Sequence, residues 1–480
     1  MPWNFDVVDD IIAEFHGRRH APGVQVGVIA PGGTVHVANR GIVDCAAGDA
    51  TGPERVFRIA SMSKSFTAAA ILQLRDQCLL HLDDPVIRHL PGAVGLAGRT
   101  SDSPHITVRQ CLTMSSGLPS DDPWADRQEE MPQAAFDDLL AHPVAGAYSP
   151  GTAFAYSNLG YAILGRIVEA ITGRRFIDHV QGELLNPLGL TNTTYDYRSV
   201  APERLERGYR LTREGDWESQ QFTAPGSFSA IGGLLSTALD IGRWMGWLSD
   251  AFPPRDGPDD TVLSRASRRE MQQAHRLVPF DLVDGSAGQT RLMSRGFPWG
   301  LAGYGYGLFV ESSPQWGEIS QHLGGYPGFG SYMGWHQASG VGVVAFANGT
   351  YAPVAEPARA ILDSLLQQGR TDPAQSRPSL LRSVLQIVER VIADPLTLQE
   401  PAFAANVLLD IPLDERIAAI SDARELLGEF TGQSEIEMRS PSEATCRLPA
   451  TRGRLDVSVA MTPTDPPRIQ TFALQAVERR

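Results

Sequence analysis

Lysine is almost missing from this sequence of 480 residues: 40 of its 41 basic residues are Arg, and the exception is Lys64. Arginine cannot act where a neutral amine is needed, because its pKa exceeds about 12. A chain that otherwise uses Arg throughout thus carries one side chain able to serve as an amine base. The same scarcity excludes a P-loop, since the only Lys follows Ser63 rather than Gly. No apolar run approaches the roughly 20 residues of a membrane-spanning helix. Cysteine is sparse too: Cys45, Cys78, Cys111 and Cys446 lie far apart with no C-x-x-C pair. That argues against a zinc site or a disulfide framework, and the four are read as reduced and structural. There is no basic block, and the formal charge is -14. This is the wrong footprint for binding nucleic acid. Neither G-x-S-x-G nor G-x-G-x-x-G occurs, and His16 and His20 are spaced four apart without the Glu of H-E-x-x-H. No metal and no cofactor are expected. The first residues run directly into an acidic amphipathic stretch without a basic or apolar leader, which reads as a cytoplasmic chain.

What is present is ordinary for a globular enzyme: 42% hydrophobic and 20% charged residues, in a chain longer than one core usually organises. Residues 4–18 place Phe5, Val8, Ile11, Ile12 and Phe15 at helical spacing. Two alternating stretches, 24–30 and 34–39, flank Pro31-Gly32-Gly33 and predict a hairpin. From Ser61 to about Leu80 the sequence is rich in Ala and Leu and predicts a helix. Residues 81–300 read as short helical patterns broken by Pro and Gly. Strand signals return at 306–311, 318–322, 330–335 and 341–348, followed by an amphipathic helix over 354–368. The expected fold class is α+β: one antiparallel sheet built from both ends of residues 1–369, flanked by helices, with a mostly helical subdomain inserted at about 81–300. Residues 370–379 read as a linker, and 380–480 as a small α+β domain with helices at 380–392 and 413–427 and strands near 434–438, 455–461 and 469–474.

Three short motifs carry the chemistry. Ser61-Met62-Ser63-Lys64 opens a predicted helix, and a spacing of three puts the Ser hydroxyl and the Lys amine on one face. A Lys activates such a Ser if burial or a nearby cation lowers its pKa. Tyr156-Ser157-Asn158 follows, with a phenol able to relay a proton and an amide able to orient Lys64 or substrate. On a late strand, His322-Leu323-Gly324-Gly325 offers close backbone approach, and the N–H of Gly325 with that of Ser61 suits an oxyanion hole. Singly, each has a plain alternative: Ser61 or Asn158 as a helix N-cap, Tyr156 as a core aromatic, His322 as a satisfied strand histidine.

Together and in this order, the motifs resemble those of the class C β-lactamase and D-alanyl-D-alanine carboxypeptidase family of penicillin-recognising serine hydrolases. The likeness covers roughly residues 5–368, and Phe57-Arg58-Ile59-Ala60, Ser116-Gly117-Leu118, Leu188-Gly189-Leu190 and Gly232-Gly233-Leu234-Leu235-Ser236 add to it. The resemblance implies Ser61 as nucleophile, Lys64 and Tyr156 sharing acid/base duty, Asn158 positioning, and His322, Gly324 and Gly325 lining the substrate and oxyanion side. It implies a metal-free acyl-enzyme mechanism on small-molecule or short-peptide substrates. His322 stands where dedicated β-lactamases carry Lys, which points away from efficient β-lactam hydrolysis, and Met114 stands where relatives often carry His. The C-terminal domain is faintly similar to cone-shaped domains of the NTF2-like kind. Peptidase or amidase and esterase remain nearly level, with a transacylase or a non-catalytic penicillin-recognising binder as alternatives. No nucleic-acid or membrane partner is expected; the oligomeric state, a homo-oligomer included, is open.

Overall fold

Val24, Val26 and Val28 alternate with Gln25, Gly27 and Ile29, yet every residue of this strand is buried. Alternation normally leaves one face wet; here both faces are covered. The computed structural model describes residues 3–44, 49–50, 52–96, 100, 102–279, 301–313, 315–369, 379–440 and 442–479. Cys45 and positions 370–378 of the expected linker lie outside them. Among the described residues no helix is long and apolar enough to cross a membrane.

The chain divides into two compact units, Met1–Gly369 and Arg370–Arg480. In the first, helix α1 (Asp6–Gly17) leads into β1 (Gly23–Ala30) and β2 (Gly33–Asp44), with β3 at Asp49–Ala50. Helix α2 (Lys64–Asp76), α3 (Asn158–Thr172) and α4 (Ala238–Ser249) come before β4 (Arg276–Leu277), β5 (Leu301–Tyr304), β6 (Phe309–Ser313), β7 (Gly317–Tyr326), β8 (Phe329–His336) and β9 (Gly342–Ala347). Helix α5 (Ala355–Gln368) ends the unit. Among the described residues these nine strands make one antiparallel sheet in the order β3-β2-β1-β9-β8-β7-β6-β5-β4. The two ends of the unit thus meet at β1 and β9, where Val26 pairs with Ala345.

Helices α1 and α5 pack on one face of the sheet, and α4 on the other. Gly27 is required by that second packing: a Cβ there would come within 2.9 Å of Val344 and 3.3 Å of Ala238 on α4. Arg359 of α5 makes a buried two-pronged ion pair with Glu311 of β6, at 2.5 and 3.0 Å. Helix α2 is buried from Lys64 to Leu74 on every side, as a helix threading the middle of a large core must be.

The helical region is shorter than the sequence pattern suggests. Residues 238–249 pack on β1 and β2, and β4 joins the sheet, so the chain has returned to it well before residue 300. The strand expected at 306–311 starts at Phe309, because Gly307 (φ 70°) turns the chain first. In the second unit, helices α6 (Ser379–Ala393) and α7 (Leu413–Leu427) precede a four-stranded antiparallel meander of described strands: β10 (Glu435–Ser440), β11 (Glu443–Ala450), β12 (Gly453–Met461) and β13 (Ile469–Glu478). Strand β11 adds a fourth strand to the three expected from the sequence, with Pro449 tolerated at its end, opposite Arg454.

One buried acid is a liability. Glu206 is fully buried, and neither carboxylate oxygen has a hydrogen-bond partner among the described residues. Burial raises its pKa from the ordinary 4.5 to about 8, against a smaller opposing pull from Arg55. The folded form holds the proton more tightly than the unfolded one, so stability falls as pH rises from about 4.5 through about 8. Glu206→Gln is expected to stabilise the protein by about 3 kcal/mol at pH 7 and by less than about 1 kcal/mol at pH 5. Urea titrations of both proteins at the two pH values check this; an equal effect at both would contradict it.

Candidate active site

The Ser61 turn is built from both sides. Phe57–Arg58 pairs with Leu235–Ser236, and the chain then enters a 3-10 turn at Ala60–Ser63 before α2 begins at Lys64. Ser61 therefore sits just ahead of the α-helix rather than on its first turn. Ala60 holds φ at 46°, a left-handed conformation uncommon for a residue with a Cβ. Behind the turn, Ser331 Oγ donates to the Ile59 carbonyl at 2.7 Å. Gly324 of β7 lies so close that a Cβ would stand 2.6 Å from the Ile59 oxygen and 3.1 Å from the Ala60 Cβ. This is why the third motif needs glycine beside the first.

Lys64 is 0% exposed and Ser61 3%. The Lys64 Nζ donates to Ser61 Oγ at 3.0 Å and to the Ile231 carbonyl at 2.8 Å. It lies 5.1 Å from the Tyr156 ring centre and 5.8 Å from that of Tyr161. Burial lowers its pKa to about 8, with Asp122, Asp126 and Asp121 pulling the other way. An amine in this range has a usable neutral fraction near pH 7.

Tyr156 is buried, and its hydroxyl makes no well-formed hydrogen bond among the described residues. Burial, reinforced by Asp122, holds its pKa well above the ordinary value, so it remains a phenol. Asn158 opens α3, capped by Ser157, and is fully buried. Its Nδ2 donates to Asp122 Oδ1 at 2.6 Å. His322 lies inside β7, buried among Tyr156, Tyr304 and Phe309, with Nδ1 2.6 Å from the Leu323 carbonyl and Nε2 3.2 Å from the Tyr304 hydroxyl. Burial and the Lys64 charge push its pKa down to about 3, leaving a neutral ring. The structure thus gathers Ser61, Lys64, Tyr156, Asn158, His322 and Gly324 in one place. Gly325 follows on the same strand, opposite Gly330. The Met114 sulfur accepts the Ser157 N–H at 3.3 Å, supporting the Tyr-Ser-Asn segment from behind.

Sequence reasoning missed the acids. Asp121 accepts the backbone N–H groups of Asn158 (2.7 Å) and Leu159 (2.9 Å), capping α3 from another part of the chain. Asp126 accepts from the Tyr351 hydroxyl at 2.9 Å. Burial raises all three carboxyls, Asp122 to about 6 and Asp126 to about 8. A little further on, Glu129 accepts from Arg58 (2.5 Å), Thr223 (2.6 Å) and Tyr326 (2.8 Å). That buried cluster ties the acid-bearing loop to the strand before Ser61 and to the end of β7. Tyr304, at the end of β5, joins the site through its hydroxyl, 3.2 Å from His322 Nε2.

Residues 8–368 match the beta-lactamase family. Penicillin-binding protein 4 of Amycolatopsis lactamdurans is 30% identical over 344 residues, 70% of this chain and 83% of that one. Penicillin-binding protein 4* of Bacillus subtilis (strain 168) is 27% identical over 286 residues, 58% of this chain and 57% of that protein's length. In fold, the chain is similar to the octameric penicillin-binding protein homologue from Pyrococcus abyssi, with a TM-score of 0.64 at 22% identity, covering 99% of this chain and 97% of that one.

Proposed function

Because the chain belongs to the beta-lactamase family, we propose that it is a serine hydrolase working through an acyl-enzyme on Ser61, with small peptides or amides as its preferred acyl donors. The observation that carries this is the 3.0 Å contact between Ser61 Oγ and the buried amine of Lys64. Ser61 Oγ attacks the substrate carbonyl carbon and gives its proton to Lys64 Nζ. The N–H groups of Ser61 and Gly325 take the developing oxyanion. As the C–N bond breaks, the leaving nitrogen receives a proton from the Lys64–Tyr156 pair. Water then attacks the Ser61 ester, giving its proton to the same pair, which returns it to Ser61 Oγ as the acyl C–O bond breaks and the acid leaves. Asn158 positions, and His322 forms part of the wall.

The preference for amides over esters rests on Tyr156. A phenol kept protonated by burial, with its hydroxyl turned to Ser61, is suited to a leaving amine, which must be protonated to depart; an ester alkoxide needs this less. The neutral His322 supplies no cation for a β-lactam carboxylate. Hydrolysis of a matched D-alanyl anilide, a short-chain p-nitrophenyl ester and a chromogenic cephalosporin tests the assignment. Turnover of the anilide with little hydrolysis of the cephalosporin is expected. Turnover of the ester alone would make the protein an esterase, and acylation by the β-lactam without turnover of any substrate would make it a penicillin-recognising binder.

A further inference from the structure

The amide of Asn158 has one orientation open to it. Its partner Asp122, 2.6 Å away, only accepts when ionised, so the NH2 group must face the carboxylate. The carbonyl Oδ1 is then directed away from Asp122. It is buried on a residue that is 0% exposed and has no hydrogen-bond partner among the described residues. An unmatched buried acceptor costs about 1–3 kcal/mol, so a ligand that brings a donor to it gains accordingly. The surroundings favour a charged donor. Asp121 and Asp122 bring carboxylate charge to bear on a region whose own cation is the single Lys, while Asp126, raised to about 8 by burial, is mostly protonated at pH 7. A substrate carbonyl oxygen would meet an acceptor here, whereas an ammonium group would meet an acceptor and compensating charge.

We propose that Asp122 determines substrate choice: by holding Asn158 with its carbonyl oxygen uncommitted, it selects acyl donors that carry a protonated amino group beside the scissile carbonyl, such as aminoacyl amides and peptides with a free N-terminus. This rests on the assignment of Ser61 as the acyl acceptor. The three motifs do not distinguish such substrates from N-acylated ones; the Asp122–Asn158 contact does.

The test compares D-alanyl p-nitroanilide with its N-acetyl counterpart at pH 7, where the free amine is mostly protonated. Wild type should favour the free amine by at least about tenfold in kcat/KM, mainly through KM. In Asp122→Asn the new side chain can donate as well as accept, so Asn158 loses its fixed orientation. The ratio between the two substrates should fall at least about fivefold. A second measurement needs neither turnover nor a folded variant: protection of wild-type Ser61 from a fluorophosphonate by D-alaninamide against protection by N-acetyl-D-alaninamide, with the free amine protecting at lower concentration. Equal handling of both anilides with equal protection by both amides, or a variant that loses both substrates in the same proportion, overturns the proposal. If Ser61 takes up no fluorophosphonate at all, the acyl-enzyme assignment itself fails and takes this proposal with it. A labelled Ser61 indifferent to the amine overturns the proposal alone.

Discussion

Ser61→Ala should abolish anilide hydrolysis, with kcat falling by at least about 10^4-fold, while the melting temperature stays within a few degrees of wild type. The first part follows from chemistry: without Oγ there is no acyl-enzyme, and no other described hydroxyl is hydrogen-bonded to the Lys64 amine. The second follows from packing. The Ser61 hydroxyl accepts one hydrogen bond, from Lys64, and Lys64 keeps the Ile231 carbonyl as a partner. The turn that holds the residue is fixed by other groups, among them Ser63 Oγ on the Ala60 carbonyl at 2.7 Å and Ser331 on Ile59. Steady-state kinetics and a thermal melt check both parts. Activity within about tenfold of wild type would remove Ser61 as nucleophile; a collapse of the melting temperature would make its main role structural.

Lys64→Arg keeps a cation and removes the neutral base. A loss of about 10^3-fold in kcat/KM is expected, with Lys64→Gln as a smaller replacement should the guanidinium crowd a fully buried site. Wild type should also report the base directly. Lys64 acts when neutral, so acylation should be slow at low pH and rise with pH through about 8. The Asp126 carboxyl, raised to about 8 by its own burial, titrates in the same range, and the rising limb belongs to the group of charges. The two are separable by substitution. The Asp126 charge holds the Lys64 pKa up, so Asp126→Asn should move the limb to lower pH. A limb that moves to higher pH, or a rate independent of pH between 6 and 9, would contradict Lys64 as the base.

The parts of this site that could be read from the sequence are those whose chemistry is local. Ser61 and Lys64 are one turn apart, and their contact follows from spacing. The hairpin of β1 and β2 and the strands at 317–326, 329–336 and 342–347 follow from alternation between Gly-rich turns. What could not be read depends on distant packing. Asp121 and Asp122, in Ser120-Asp121-Asp122-Pro123, look like a solvated loop. Only the arrival of α3, 37 residues later, turns Asp121 into its cap and Asp122 into the partner of Asn158. Glu129 looks like a surface acid beside Glu130, and its contacts with Arg58 and Tyr326 span 71 and 197 residues. Helix α4 was assigned to the helical subdomain because an amphipathic pattern shows that a helix has a buried face but not what it is buried against. His322 could be placed on its strand, while its neutrality depends on the aromatic ring packing that encloses it.

The most direct test of the central claim is peptide mass spectrometry of the wild-type protein after exposure to a fluorophosphonate, with Ser61→Ala treated in parallel. A single adduct on the peptide containing Ser61, absent from the variant and formed faster at pH 8.5 than at pH 6.5, is the expected result. A folded wild-type protein that acquires no adduct there, or an adduct on another residue that persists in Ser61→Ala, would contradict it.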